Sequence, residues 1–442
     1  MSKSTCFKDF VKYSSLNVMG MIGLSCYILA DTFFVSKGLG TNGLTALNLA
    51  IPVYSFIHGS GLMIGMGGAT RYSIRKSQND SVAANQTFSN AVIIAAGFAA
   101  FFIMLGVLFS GTIIFFFGAD VSVFNMSKTY LQVILLFAPA FLLNNVLLCF
   151  VRNDGAPQLS MMAMIGGSLS NIVLDWVFIF PCNMGIFGAV FATGLAPIIS
   201  MLILSPYFIW KRNGFHFKRC KLDGRLVVSI LLIGVPSLIT EVSSGIVMIV
   251  FNSIILRLQG NVGVAAYGVV ANLSLVIMAI YTGIAQGIQP LVSRNYGTGK
   301  ISNIQTVMKY ALTTMLILSG IIYAGVYIGA SQITSIFNSE QNVLLQSIAT
   351  TGLKLYFIAC PFAGFNIILS VYFISTEHLR PAHIISILRG FAVIIPMAFL
   401  LSAIVKLVGL WCSFPAAELL VAVIGIVFYI THNKKIKGGI YV

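Results

Sequence analysis

Long apolar runs alternate with short polar breaks along nearly the whole chain. A helix that crosses a bilayer needs about 20 mainly apolar residues. Twelve runs meet that need, at 12–36, 44–70, 88–117, 130–151, 157–181 and 186–210, and then at 226–256, 264–292, 306–337, 344–374, 382–404 and 409–431. The pattern predicts an all-α integral membrane protein with twelve spanning helices.

The positions of the basic residues test that count, because Lys and Arg collect on the cytoplasmic side of a membrane. With the N-terminus inside, 21 of the 26 Lys and Arg residues fall in breaks or helix ends assigned to the cytoplasm. The external side keeps five: Lys37, Lys128, Arg257, Lys354 and Lys406. A missed or invented helix would scramble this alternation. Both termini are therefore expected inside a bacterial-type cell membrane, in a multi-pass and monomeric protein. The longest basic break, Lys211 to Arg225, falls at the midpoint. It divides the chain into an N-lobe (1–213, the first six helices), a cytoplasmic linker (214–225) and a C-lobe (226–442, the last six). A shift of 220 positions aligns Gly43, Ala46, Ile57, Ile64, Gly67 and Ser73 with Gly263, Ala266, Ile277, Ile284, Gly287 and Ser293. Two parallel six-helix repeats are expected, with a transport path between them.

Composition agrees with lipid as the solvent. Of 442 residues, 58% are hydrophobic and 8% charged, where soluble domains carry about 25% charged residues; the mean hydropathy is +0.96. The net charge of +15 comes from bases between apolar runs, not from an aromatic-studded basic stripe, so nucleic acid is not an expected partner. Seven scattered cysteines show no CxxC spacing and read as packing residues. The apolar stretch after the basic N-terminus is too long for a signal-peptide core, so the first helix is expected to remain.

The chemistry lies in the few charges that the bilayer should reject. Asp31, Asp175, Glu241 and Glu418 fall inside spans, each at a cost of at least about 2.5–3.5 kcal/mol on insertion scales. At 1.5 Å per residue, Asp31 lies about 8 Å below the external end of its helix, Asp175 about 9 Å and Thr193 about 10 Å. Asn171 precedes Asp175 by four residues and shares its helix face. Four oxygen-bearing side chains thus reach one level in the outer half of the first lobe, where no Lys or Arg is found. Two acids without a fixed counter-charge need a mobile one. Either they hold a proton, which burial and mutual repulsion favour, or they hold Na⁺ among Asp31, Asn171, Asp175 and Thr193. The structural alternative is that both acids accept hydrogen bonds from nearby hydroxyls and lock helices together. Glu241, near mid-depth in the seventh helix, is a candidate for the substrate cavity together with Asp31 and Asp175. Glu418 follows Pro415 and is expected to serve structure, pairing with freed backbone groups or with Arg389.

Other patterns carry no chemistry. Gly38-Leu-Gly-Thr-Asn-Gly43 fits GxGxxG but lies between two spans with no strand before it, and reads as a turn. Tyr296-Gly-Thr-Gly-Lys300 lacks the first Gly and the Ser/Thr of a phosphate loop. Zinc-protease and hydrolase motifs do not occur, and His58 reads as a helix-packing residue. The chain is therefore not expected to be an enzyme or to need a cofactor. Pro52, Pro139, Pro197, Pro236, Pro361 and Pro396 mark kinks or broken segments.

Several stretches resemble the multidrug and toxic compound extrusion (MATE) family, in its bacterial drug-exporter branch. They are Ala30-Asp-Thr-Phe-Phe-Val35, Gly65-Met-Gly-Gly-Ala-Thr70, Arg152-Asn-Asp-Gly-Ala-Pro157, Asn171-Ile-Val-Leu-Asp175 and Gly185-Ile-Phe-Gly-Ala-Val-Phe-Ala-Thr193. The resemblance implies two six-helix lobes, alternating access, and export of cationic drugs and dyes driven by protons or sodium. By position, Asp31, Asn171, Asp175 and Thr193 match the family's first-lobe cation site, with the carbonyl of Ala189 as a further ligand. Some members pair the helix-7 acid, here Glu241, with an Asp on helix 10; here that helix reads Cys360-Pro-Phe-Ala-Gly-Phe-Asn366 and has none. Certain members also bend helix 1 at a Pro, where this chain offers Gly20 and Gly23. A lipid-linked saccharide flippase of the same plan is the alternative, but it needs cavity bases and only Arg389 is available. A membrane enzyme acting on lipids lacks its expected metal-binding acids or nucleophile.

Overall fold

The structure is a computed structural model, and it describes residues 3–219, 222–338 and 341–437, without the side chains of Lys3 and of 433–437. Cys220 and Lys221 of the predicted linker, and the side chains of Lys434, Lys435 and Lys437, lie outside the described set. Twelve α-helices carry the described chain: α1 (Lys3–Ser77), α2 (Ser81–Phe116), α3 (Val121–Leu136), α4 (Ala138–Asn153), α5 (Pro157–Ile179), α6 (Gly185–Ile209), α7 (Gly224–Gly297), α8 (Ile301–Phe337), α9 (Val343–Tyr356), α10 (Cys360–Ser375), α11 (Leu379–Ile387) and α12 (Ile394–Lys437). Loop acids and amides start several of them: Asp80 caps α2 by accepting from Ala83 N at 3.0 Å, and Asp223 and Asn342 cap α7 and α9.

Among the described residues, nine stretches are long and apolar enough to cross a membrane, one of them the bent pair α3–α4. Three of the nine are of roughly double length and broken inside, at Gly40 in α1, Gly260 in α7 and Val405–Lys406 in α12. Each break separates two crossings, so the described residues hold twelve membrane-crossing stretches, as the apolar runs predict. The repeat is visible in the backbone. Gly40 has φ 66° and ψ −157°, and Gly260, 220 positions later, has φ 62° and ψ −157°. That region is open essentially to glycine alone. Broken spans recur in register too. Phe137 joins α3 to α4 at a 46° bend just before Pro139, and a 3₁₀ turn at Phe357–Ala359 joins α9 to α10 just before Pro361. Pro52 and Pro197, by contrast, stay inside continuous helix.

The chain divides into two compact units, one of Met1–Val18, Ser243–Val292 and Lys300–Val442, the other of Met19–Val242 and Ser293–Gly299. Within the second, the later half of α1 and the opening of α7 meet backbone to backbone. A Cβ on Gly67 would overlap the carbonyl of Ile230, and one on Gly234 would overlap that of Met63. Within the first, Gly287 backs onto Ser14 and Gly283 onto Val18 in the same manner, so glycines related by the repeat make equivalent contacts. Gly67→Ala or Gly234→Ala should therefore destabilise the protein by about 1–3 kcal/mol through overpacking. Gly97→Ala is the control, since a Cβ there meets nothing within 4 Å. Thermal melting in detergent should fall for the first two and hold or rise for the third.

Candidate functional site

The site forms inside the unit Met19–Val242, where the first half of α1, α5 and α6 pack together. Small residues permit the approach. A Cβ on Gly20 would come to 3.0 Å from Met164 Sδ, one on Gly23 to 3.4 Å from Ile165 Cγ1, and one on Gly167 to 3.0 Å from the carbonyl of Ala196. The glycines of helix 1 thus seat it against α5, and the helix stays regular through both. Since Gly23 also lies beside Ser168, moving eight residues along α1 and seven along α5 brings Asp31 and Asp175 to the same level.

The two carboxyls lie within hydrogen-bonding reach of each other. Asp175 and Asn171 are 0% exposed, Asp31 7% and Thr193 4%. Asn171, with its amide oriented to suit its neighbours, donates to Asp175 Oδ2 at 3.0 Å and accepts from Thr193 N at 3.2 Å. The Thr193 hydroxyl donates to the Ala189 carbonyl at 3.1 Å, so Ala189 joins the cluster through Thr193. Oδ1 of Asp31 and Oδ1 of Asp175 are both buried without a donor. Two carboxylates so placed cannot both stay charged unless a cation sits between them. A proton shared by the pair, or a small hard cation among these oxygens, resolves the conflict.

Three tyrosines that sequence reasoning missed surround the acids. Tyr130 reaches Thr193 and lies within electrostatic range of both carboxyls. Tyr27 lies near Asp31, and its hydroxyl is 2.8 Å from that of Tyr54. Tyr27 precedes Asp31 by four residues, so a shared helix face was the one available signal. The other predicted residues lie elsewhere. Glu241, in the opening half of α7, packs against Gly59 and sits within electrostatic range of Tyr54. His58 stacks on Tyr54 at 5.9 Å and meets Asn145 at 3.3 Å, a packing role. In the other unit, Arg389 Nε donates to Glu418 Oε1 at 2.6 Å, and Asn366 donates to Glu418 Oε2 at 2.7 Å. Glu418 thus has the structural partner foreseen for it, and Arg389 Nε is committed to that pair.

A twelve-span helical fold with repeated halves, holding a buried acid pair, defines a polytopic membrane transporter. The chain belongs to the MatE family, whose model matches residues 18–177 and 236–400. It is similar to the multidrug export protein MepA of Staphylococcus saprophyticus subsp. saprophyticus, 24% identical over 98% of this chain and 95% of that protein. It is 25% identical to MepA of Staphylococcus aureus, with the same coverage. Among solved structures, an outward-facing multidrug resistance MATE family transporter of the MOP superfamily superposes with a TM-score of 0.91 at 22% identity, over 98% of this chain and 96% of that one. A MOP superfamily transporter from Pyrococcus furiosus, described as having a binding pocket of reversed polarity, superposes with a TM-score of 0.90 at 23% identity, over 97% and 96%. The matched relatives are multidrug export proteins and both superposed structures are transporters.

Proposed function

We propose that this protein is a secondary active antiporter that exports small cationic or amphiphilic organic compounds in exchange for H⁺ or Na⁺ by alternating access. The observation that carries the reading is the buried pair Asp31 and Asp175, which has no Lys or Arg partner among the described residues and leaves Oδ1 of each acid without a donor. Asp31, Asp175, Asn171 and Thr193 form the coupling site, with Ala189 behind Thr193. The multidrug export function of both MepA relatives supports the substrate class. The coupling ion enters from the outer side, neutralises the pair and favours the inward-open arrangement; a cationic substrate arriving from inside then favours release of the ion. The basic breaks support an orientation with both termini on the cytoplasmic side.

The test is dye efflux from proteoliposomes under one imposed gradient at a time. A gradient of pH alone or of Na⁺ alone should drive uphill ethidium movement, and ethidium should in turn stimulate the ion flux. Dye movement insensitive to both gradients overturns the antiport reading.

A further inference from the structure

After α6 the chain forms a strap along α2, and its backbone is fixed by side chains of that helix. His216 N donates to Asn85 Oδ1 at 2.7 Å, Lys218 N to Ser89 Oγ at 2.9 Å and Asp223 N to Asn90 Oδ1 at 3.3 Å. Phe215 is fully buried among the rings of Tyr72, Phe88, Phe150 and Phe208, at centroid distances of 4.6–5.7 Å. Gly214 N donates to Asp154 Oδ2 at 2.7 Å. The same carboxylate accepts from Tyr72 at 2.5 Å and Tyr207 at 2.7 Å, and pairs with Lys76. A connection between two six-helix halves needs none of this. The strap is anchored at Gly214, His216, Lys218 and Asp223 through their backbone N–H groups.

What the anchored side leaves outward is unusual for a water-facing loop. Trp210, Phe217 and Leu222 are 64%, 57% and 58% exposed, and Arg212, Lys218, Arg219 and Arg225 are exposed beside them. Arg212 lies over the Trp210 ring at 5.1 Å. The one acid between residues 209 and 225 is Asp223, and its carboxylate caps α7 through Arg225 N and Leu226 N. The strip is thus cationic, carries aromatic and aliphatic anchors, and begins where a spanning helix leaves the bilayer. Bases draw anionic headgroups, and amphipathic rings settle at the headgroup level.

We propose that this strap is a docking surface for anionic phospholipid of the leaflet it borders, held in shape by Asp154, Phe215 and the polar face of α2. A fixed backbone presents the bases without an ordering cost on binding, which a free loop would incur. The positive-inside rule alone predicts basic residues on this side but neither the anchored backbone nor the outward apolar side chains.

The experiment uses the full chain reconstituted with phosphatidylglycerol and phosphatidylcholine, then washed in detergent, with retained lipid measured by mass spectrometry. The strap variant Arg212→Gln, Lys218→Gln, Arg219→Gln should lower phosphatidylglycerol retention about tenfold or more, with phosphatidylcholine unchanged. The control variant Lys8→Gln, Lys12→Gln, Lys309→Gln removes equal charge from exposed positions outside the strap and should retain the lipid. Melting curves confirm that each variant is folded. Should the strap variant fail to fold, the unmodified protein supplies the test, since its phosphatidylglycerol should wash away as salt rises from about 0.05 to 0.5 M. Equal losses in both variants, no loss in the strap variant, or salt-insensitive retention overturns the proposal.

Discussion

Replacing either Asp31 or Asp175 by Asn is expected to abolish ion-driven efflux while leaving a folded protein. Asn has nearly the shape of Asp and keeps an acceptor for Asn171, which approaches Asp175 Oδ2 at 3.0 Å. Its amide nitrogen takes the place of an oxygen that faces no donor in either residue. Packing is therefore preserved, and the fold stands. What disappears is the need for a mobile cation, because one amide beside one carboxyl no longer places two negative charges in a buried space. One elementary charge moved across about 100 mV is worth roughly 2.3 kcal/mol, close to a fiftyfold substrate gradient. Each variant should lose that gradient and fall to the rate of empty liposomes, and the double variant should be no worse than either single one, since the pair acts as a unit. Dye efflux under an imposed gradient, read beside a melting curve, decides it; full activity in both single variants removes the coupling role.

The parts of this molecule legible in the sequence are those where lipid imposes a simple rule. Apolar runs of fixed length mark the crossings because an unsatisfied backbone has no water to turn to. The starts of spans were less clear. The third crossing is predicted from 88, yet α2 begins at Ser81, because Asn85, Gln86 and Thr87 dilute its first turns. Asn85, with Ser89 and Asn90, is the seat of the strap, a partner distant in sequence that periodicity cannot show. The shared level of Asp31 and Asp175 follows from helix rise, since both spans run in one direction from comparable ends, whereas their meeting requires the packing of α1 on α5 at Gly20 and Gly23. Tyr130 was invisible because a tyrosine at the edge of an apolar run looks the same whether it meets a carboxyl or lipid. Asp154 belonged to a recognised motif, but its four donors come from α1, α6 and the strap, and only the fold assembles them.

The ion pair in the other unit predicts the opposite outcome from the coupling acids. Glu418 is 2% exposed, and its two oxygens are shared between Arg389 and Asn366. Arg389 itself projects from a π-helical turn, Leu388–Ala392, a widened turn of the helix. Arg389→Met leaves a buried carboxylate with one amide donor and no counter-charge, at a cost of about 3–5 kcal/mol. Adding Glu418→Gln removes the stranded charge while keeping an acceptor for Asn366, so the double variant should recover most of that loss. Melting in detergent should rank the parent and the double variant together, well above Arg389→Met. Equal melting of the single and double variants would show that the pair does not stabilise this unit. Transport supplies the second readout: the double variant should still drive dye uphill, because a charge already balanced within the protein has no call on an ion from outside.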